Sequence, residues 1–207
     1  METKDWHAWH NDYDVPGSVL ARRLSAVQDR IRAALDAAGP GRITVLSACA
    51  GQGRDLLEVL AVHPRRNDVV ARLVELDPAN ADIARRAAAG LTVEVVVGDA
   101  ALTEHYADRV PADLVLLCGI FGNVSDADIE ATISYCPQLC ATGATVIWTR
   151  HRRAPDLVPK LCRWFAGYGF EQLWLSAPNE GFGVGVHRFT GQTQSLATGA
   201  RMFTFVR

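Results

Sequence analysis

Apolar positions follow two rhythms along this chain. Val19, Leu20, Leu24, Val27, Ile31 and Leu35 recur every three or four residues, which is the spacing of one helical face. Ser18 stands in front as a cap, and Gly39-Pro40-Gly41 ends the pattern. Beyond it, short and nearly continuous apolar runs predict strands over 43–48, 70–76, 92–97, 113–118 and 145–149. Helical patterns over 55–62, 79–89, 126–139 and 155–168 lie between them. Strands without polar alternation, separated by helices, predict a parallel sheet covered on both faces and connected by right-handed crossovers. After Gly169 the alternation stops. Runs over 170–175, 183–189 and 201–206 read as strands with no helix between them, so the sheet must close with antiparallel pairing.

The first βαβ unit carries the chemistry. An apolar strand enters Ala48-Cys49-Ala50-Gly51-Gln52-Gly53, a helix follows, and Glu75 closes the second strand twenty-two residues beyond Gly53. Gly51 and Gly53 let backbone approach a ligand, and the carboxylate stands where a ribose would lie. The third glycine of a dinucleotide fingerprint would fall at position 56, which is Leu56. A pyrophosphate cradle is therefore incomplete, and an adenosyl compound without phosphates fits better.

From Arg42 onward the chain resembles the class I S-adenosylmethionine-dependent methyltransferases. Val45 to Arg54 is similar to the family's glycine-rich first motif, and Leu73-Val74-Glu75-Leu76-Asp77-Pro78 to the acidic end of its second strand. Val96-Val97-Gly98-Asp99-Ala100 is similar to its adenine-contacting motif, and Asp113 to Gly119 to its fourth strand. Two positions depart: Ser47 stands where an acid is common, and Cys49 where the first glycine is. The resemblance implies a three-layer, Rossmann-like, doubly wound and mostly parallel seven-stranded sheet of order 3-2-1-4-5-7-6. In it strand 6 falls at 170–175, the antiparallel last strand at 202–206, and an added strand around 184–189. It also implies a cofactor site of Ala48, Cys49, Ala50, Gly51, Gly53, Glu75, Leu76, Asp99, Ala100, Cys118, Gly119 and Ile120. Glu75 would accept from the ribose hydroxyls, and Asp99 from the adenine amino group. Asp77, ahead of Pro78, reads as a helix cap instead.

Acceptor-side candidates are fewer. Phe121 and Asn123 follow the fourth strand; Asn123 either orients a substrate or caps the next helix. Arg150, Arg152 and Arg153 either receive an acidic group or form a solvated loop. His151 and His187 are the two histidines that can be argued as a general base, each against a structural reading. Trp9 and Tyr13 belong to an aromatic N-terminal stretch that reads as a lid. The expected division is a lid segment and helix over 1–41 and a cofactor-binding methyltransferase domain over 42–207.

Composition narrows the partners. The 207 residues carry 21 basic and 23 acidic side chains, a formal charge of −2, which supplies no field for a polyanion. No Asn/Asp-Pro-Pro-aromatic motif of base amino methylation follows the fourth strand. Methyl transfer from S-adenosylmethionine to a small organic molecule, with S-adenosylhomocysteine as product, is the expected activity. An RNA or protein methyltransferase, or a non-catalytic module on this fold, is the alternative. Five cysteines without metal spacing suggest reduced thiols, no metal is expected, and His7 and His10 do not complete a site. With no signal-like N-terminus and no membrane-length apolar run, a cytoplasmic protein is expected, and a homodimer is left open.

Overall fold

The computed structural model describes residues 12–15 and 17–206. Helix α1 (Val19–Ala37) precedes β1 (Ile43–Ala48), α2 (Arg54–Val62), β2 (Val69–Glu75), α3 (Pro78–Ala87) and β3 (Val93–Val97). The chain continues through β4 (Ala112–Leu117), α4 (Asp126–Leu139), β5 (Cys140–His151), α5 (Val158–Gly167), β6 (Phe170–Leu175) and β7 (Phe182–Phe189). One sheet orders the strands β3-β2-β1-β4-β5-β7-β6; β7 runs antiparallel to both β5 and β6, and the remaining pairs are parallel.

The continuous apolar runs have a direct cause, because alternate residues feed two separate cores. Leu46, Leu117 and Trp148 point to a core shared with Ile129 and Ile133 of α4 and Phe165 of α5. Their chain neighbours Val45, Leu116 and Ile147 point to the other, shared with Ile31 and Leu35 of α1 and Leu56 and Leu60 of α2. The central strands are apolar on both sides since each side is covered, whereas the edge strands β3 and β6 expose Glu94, Glu171 and Gln172. The cap signals act locally as read: Ser18 Oγ accepts from Ala21 N at 3.0 Å, and Asp77 Oδ1 from Ala79 N at 2.8 Å, with Pro78 opening α3.

The expected C-terminal strands require correction. The reversed strand 7 is Phe182–Phe189, the run treated as an addition, whereas 201–206 forms only the isolated bridges Leu102↔Arg201 and Val124↔Phe205. Its apolar residues are spent differently. Between β3 and β4 the chain makes only a short 3-10 turn, Thr103–Tyr106, where the other crossovers place an α-helix or a longer element. Residues 190–206 run back as a strap beside α4 and fill that space. Met202 and Phe203 are fully buried in the same core as Ala101, Tyr106 and Ile133. Met202 N donates to Ala101 O at 2.8 Å, and Thr132 Oγ1 donates to Met202 O at 3.2 Å.

Candidate cofactor and acceptor site

The carboxyl ends of β1, β2, β3, β4 and β5 meet at one edge, and the strand order reverses between β1 and β4. A crevice at that switch point is where an open α/β sheet binds ligands.

The turn after β1 is held in an uncommon backbone shape. Cys49, Gly51 and Gly53 take φ of 53°, 58° and 70°. Cys49 is thus in the left-handed region that glycine occupies without cost, and it does so where the family motif has glycine. At Gly53 a side chain is doubly barred, since a Cβ would stand 2.6 Å from Leu57 Cδ1 and 2.9 Å from Leu73 Cδ2. Leu56 is wholly buried in the α2 core.

Glu75 organises this turn. Its carboxylate accepts from Gly51 N at 2.7 Å and from Asp77 N at 2.9 Å, so one side chain fixes the glycine turn and the exit from β2 together. Four acceptor positions exist on a carboxylate, and these two bonds leave capacity for hydroxyl donors. Leu76, the next residue, is 65% exposed, an open apolar surface on the same edge. Asp99 follows β3: one oxygen accepts from Ala101 N at 3.0 Å, and the other pairs with Arg201 of the strap at 2.8 Å. Ala100 is buried, and its carbonyl accepts from the buried Tyr106 hydroxyl at 2.7 Å. Burial, then Glu75, then Asp99 push the Cys49 thiol up, which places it neutral between the two carboxylates.

Asp55 is a further member that sequence reasoning passed over. Its carboxyl faces the Cys118 thiol at the end of β4, and burial pushes it up to about 6; the Cys118 thiol is raised by burial and by Asp55. An acid in the first turn of a helix is ordinary in a sequence, so nothing there marks it as inward-facing. Above it, Tyr13 accepts from Arg23 Nη2 at 3.0 Å, and Arg54 both pairs with Asp14 at 2.8 Å and lies 5.6 Å over the Tyr13 ring. The 3-10 turn Asp12–Asp14 is thereby pinned over the start of α2. Trp9 lies outside the described residues, as do His7 and His10.

After β4, Gly119 (φ 80°) donates its N–H to Thr149 Oγ1 at 2.9 Å. Asn123 Nδ2 donates to Gly119 O at 2.7 Å, closing the loop on itself; Ser125, not Asn123, caps α4 through Asp128 N. Ile120 and Phe121 are wholly buried, with Phe121 against Trp148 and Phe165, so their side chains serve the core.

The two histidines separate. His151 ends β5 beside that loop: its Cδ2 is 3.3 Å from where a Gly122 Cβ would be, and its Nδ1 accepts from Arg153 N at 3.3 Å. Burial, Arg150 and Arg153 hold the imidazole below its ordinary value, so it is neutral near pH 7. His187 pairs in register with Val146, five residues back along β5, and is 1% exposed. It accepts from Trp148 Nε1 at 3.1 Å and stacks on Phe165 at 4.5 Å, away from the edge. Of the arginines, Arg152 is structural: it pairs with Asp156 at 2.8 Å and donates to Phe182 O and Ser176 O. Arg150 is buried, not part of a solvated loop, and its Nη1 donates to Phe121 O.

Among the described residues no group of three His, Cys, Asp or Glu side chains is arranged to hold a metal, and no helix is long and apolar enough to cross a membrane. No family model matches the chain, and no curated protein matches its sequence. Solved structures do match its fold. Magnesium protoporphyrin IX methyltransferase (ChlM) of Synechocystis PCC 6803, solved with bound SAM, aligns at TM-score 0.65 and 13% identity over 90% of this chain and 92% of that one. A TehB-like SAM-dependent methyltransferase of Corynebacterium glutamicum aligns at 0.59 and 18% over 80% and 92%. The CurJ carbon methyltransferase aligns at 0.66 and 15%; this chain covers 59% of it, and 90% of this chain is matched.

Proposed function

We propose that this chain, which has the Rossmann-like fold of the class I S-adenosylmethionine-dependent methyltransferases, transfers a methyl group from S-adenosylmethionine to a small organic acceptor. The observation that carries the reading is the placement of Glu75. An ionisable carboxylate closes β2 and grips the positive-φ turn after β1, at the switch point of a sheet with this strand order. The residues present fit the cofactor. Glu75 would take the ribose hydroxyls, Leu76 would lie against adenine, and Asp99 with the Ala100 amide would face the adenine edge. The amides around Gly51 and Gly53 would meet the methionine end.

When bound, S-adenosylmethionine supplies a carbon made electrophilic by its sulfonium. The chain's own task is alignment in a dry site, with buried Ala48 and Ala100 and half-buried Cys49 and Cys118 lining the edge. His151 is the base of this reading: a neutral imidazole beside the loop after β4 can accept the proton of an acceptor hydroxyl. His187 has no part in it. Residues 42–207 form the methyltransferase domain; within residues 1–41, α1 packs on its core, and the segment ahead of α1 supplies the cover, with Tyr13 as its described ring.

Calorimetry on the full chain tests the proposal. S-adenosylhomocysteine should bind and NAD should not, since buried Leu56 occupies the position where pyrophosphate binding favours glycine. NAD binding without S-adenosylhomocysteine binding would overturn it.

A further inference from the structure

Arg150 is a buried cation without a counter-ion. It is 8% exposed, its Nη1 donates to Phe121 O, and its Nε is buried without any partner. Among the described residues no carboxylate lies within ion-pairing distance. The two acids whose charges it feels most are already engaged: Asp126 with Lys160 at 3.3 Å, and Asp156 with Arg152 at 2.8 Å and the Val158 amide at 2.9 Å. The other deeply placed arginines of the sheet are matched. Arg72, 7% exposed, sits between Glu94 and Asp108, and Arg152 holds Asp156 and two carbonyls.

An unmatched buried charge is costly, and an apolar side chain of similar length would fill the same space at less cost. Folding therefore gives no reason for a guanidinium here. Its position does. Arg150 and His151 are consecutive on β5, leave it on opposite faces, and meet the same loop at Phe121 and Gly122. Nε is sealed inside the protein, whereas Nη2 carries no hydrogen bond within the described protein and is not sealed, so it is the charged donor that a carboxylate oxygen can meet.

We propose that the methyl acceptor is a small carboxylic acid whose carboxylate is received by Arg150. The word acceptor rests on the methyltransferase reading; the anion site does not. An acid so held would present its nucleophile to the loop on which His151 packs.

The test is calorimetry on the full chain saturated with S-adenosylhomocysteine, titrated with acids and their neutral amides: benzoate and benzamide, phenylacetate and phenylacetamide, butyrate and butyramide, succinate and succinamide. At least one acid should bind about tenfold or more tightly than its amide, and that preference should fall to within about twofold in Arg150→Gln. If no acid outbinds its amide, or if the preference survives in Arg150→Gln, the proposal is overturned. Should Arg150→Gln fail to fold, Arg150→Met replaces it. That variant keeps the length of the side chain without its charge, and an undiminished preference in it also overturns the proposal. If S-adenosylhomocysteine does not bind at all, the methyltransferase reading falls, and the same acid and amide comparison on the chain without it still decides the anion site.

Discussion

His187 should make this protein acid-sensitive in a window that can be worked out in advance. Its imidazole is enclosed by Trp148, Phe165 and the strands around it, and burial lowers its pKa from 6.5 to about 4. Between those values the unfolded chain carries a proton at this site that the folded chain does not. Stability therefore rises with pH across the window, and it is lost as pH falls below the unfolded value. Two and a half pKa units correspond to about 3 kcal/mol at full extent, with about 2 kcal/mol already gone at pH 5. That is a large share of a typical total of about 5–15 kcal/mol. Other groups also titrate there, so the measurement is a difference. Urea unfolding of the native chain and of His187→Asn, at pH values from 7 to 4, isolates the contribution of this one side chain. Asn keeps an oxygen near the Nδ1 position to accept from Trp148 Nε1, but it has no proton to gain. The variant should start less stable at pH 7, from the ring it lacks, and lose about 3 kcal/mol less than the native chain on the way to pH 4. Parallel acid limbs would refute the burial argument. Loss of methyl transfer at pH 7 in a folded His187→Asn, with cofactor affinity intact, would make His187 the general base after all.

Two further substitutions test the glycine turn. Glu75→Gln points an amide NH₂ at either the Gly51 or the Asp77 amide, and it should cost about 2–4 kcal/mol of stability and weaken S-adenosylhomocysteine binding; Asp77→Ala should cost about 1 kcal/mol through its cap and leave that affinity unchanged. Thermal unfolding and calorimetry on both variants read this out, and the reverse pattern would move the ribose acid to Asp77. Gly53→Ala must accept a left-handed φ and displace Leu57 and Leu73, and chemical denaturation should show a loss of about 1–3 kcal/mol.

The strands, the caps and the turn after β1 were legible because they leave short-range signals, whereas the order of the sheet came from the family resemblance. Doubly covered strands leave unbroken apolar runs, caps leave Ser18 and Asp77, and the turn after β1 leaves its glycines. What the sequence did not disclose depends on distant pairing. The apolar run 201–206 looks like a strand by pattern, and only the absence of a helix between β3 and β4 explains why Met202 and Phe203 are needed elsewhere. β7 holds Gly183 and Gly185, residues that a strand interior does not favour. Yet a Cβ at Gly185 would run into the Trp148 ring, so that glycine belongs to the strand because of its neighbour's size. Asp55 was hidden, and the choice between the two readings of Arg150 was left open, for the opposite reason. Each sits among charged residues in the chain, and only the fold turns it inward.

The strap over 190–206 sets the order in which the molecule can become competent. Its bonds join residues far apart in the chain: Thr103 Oγ1 to Ala197 and Ala200, 94 and 97 positions away, and Val206 N to Asn123 O at 2.9 Å. Closing loops of that length costs entropy before any contact returns it, so the strap should dock late, onto a sheet already formed. It touches both the loop after β3, through Arg201 and Met202, and the loop after β4, through Phe205 and Val206. Those loops reach their final shape only when it seats. A chain can thus have all seven strands in place and still lack a finished edge, and opening of the strap, seen as faster hydrogen exchange at Met202 and Val206, would loosen the loops after β3 and β4 in a single step.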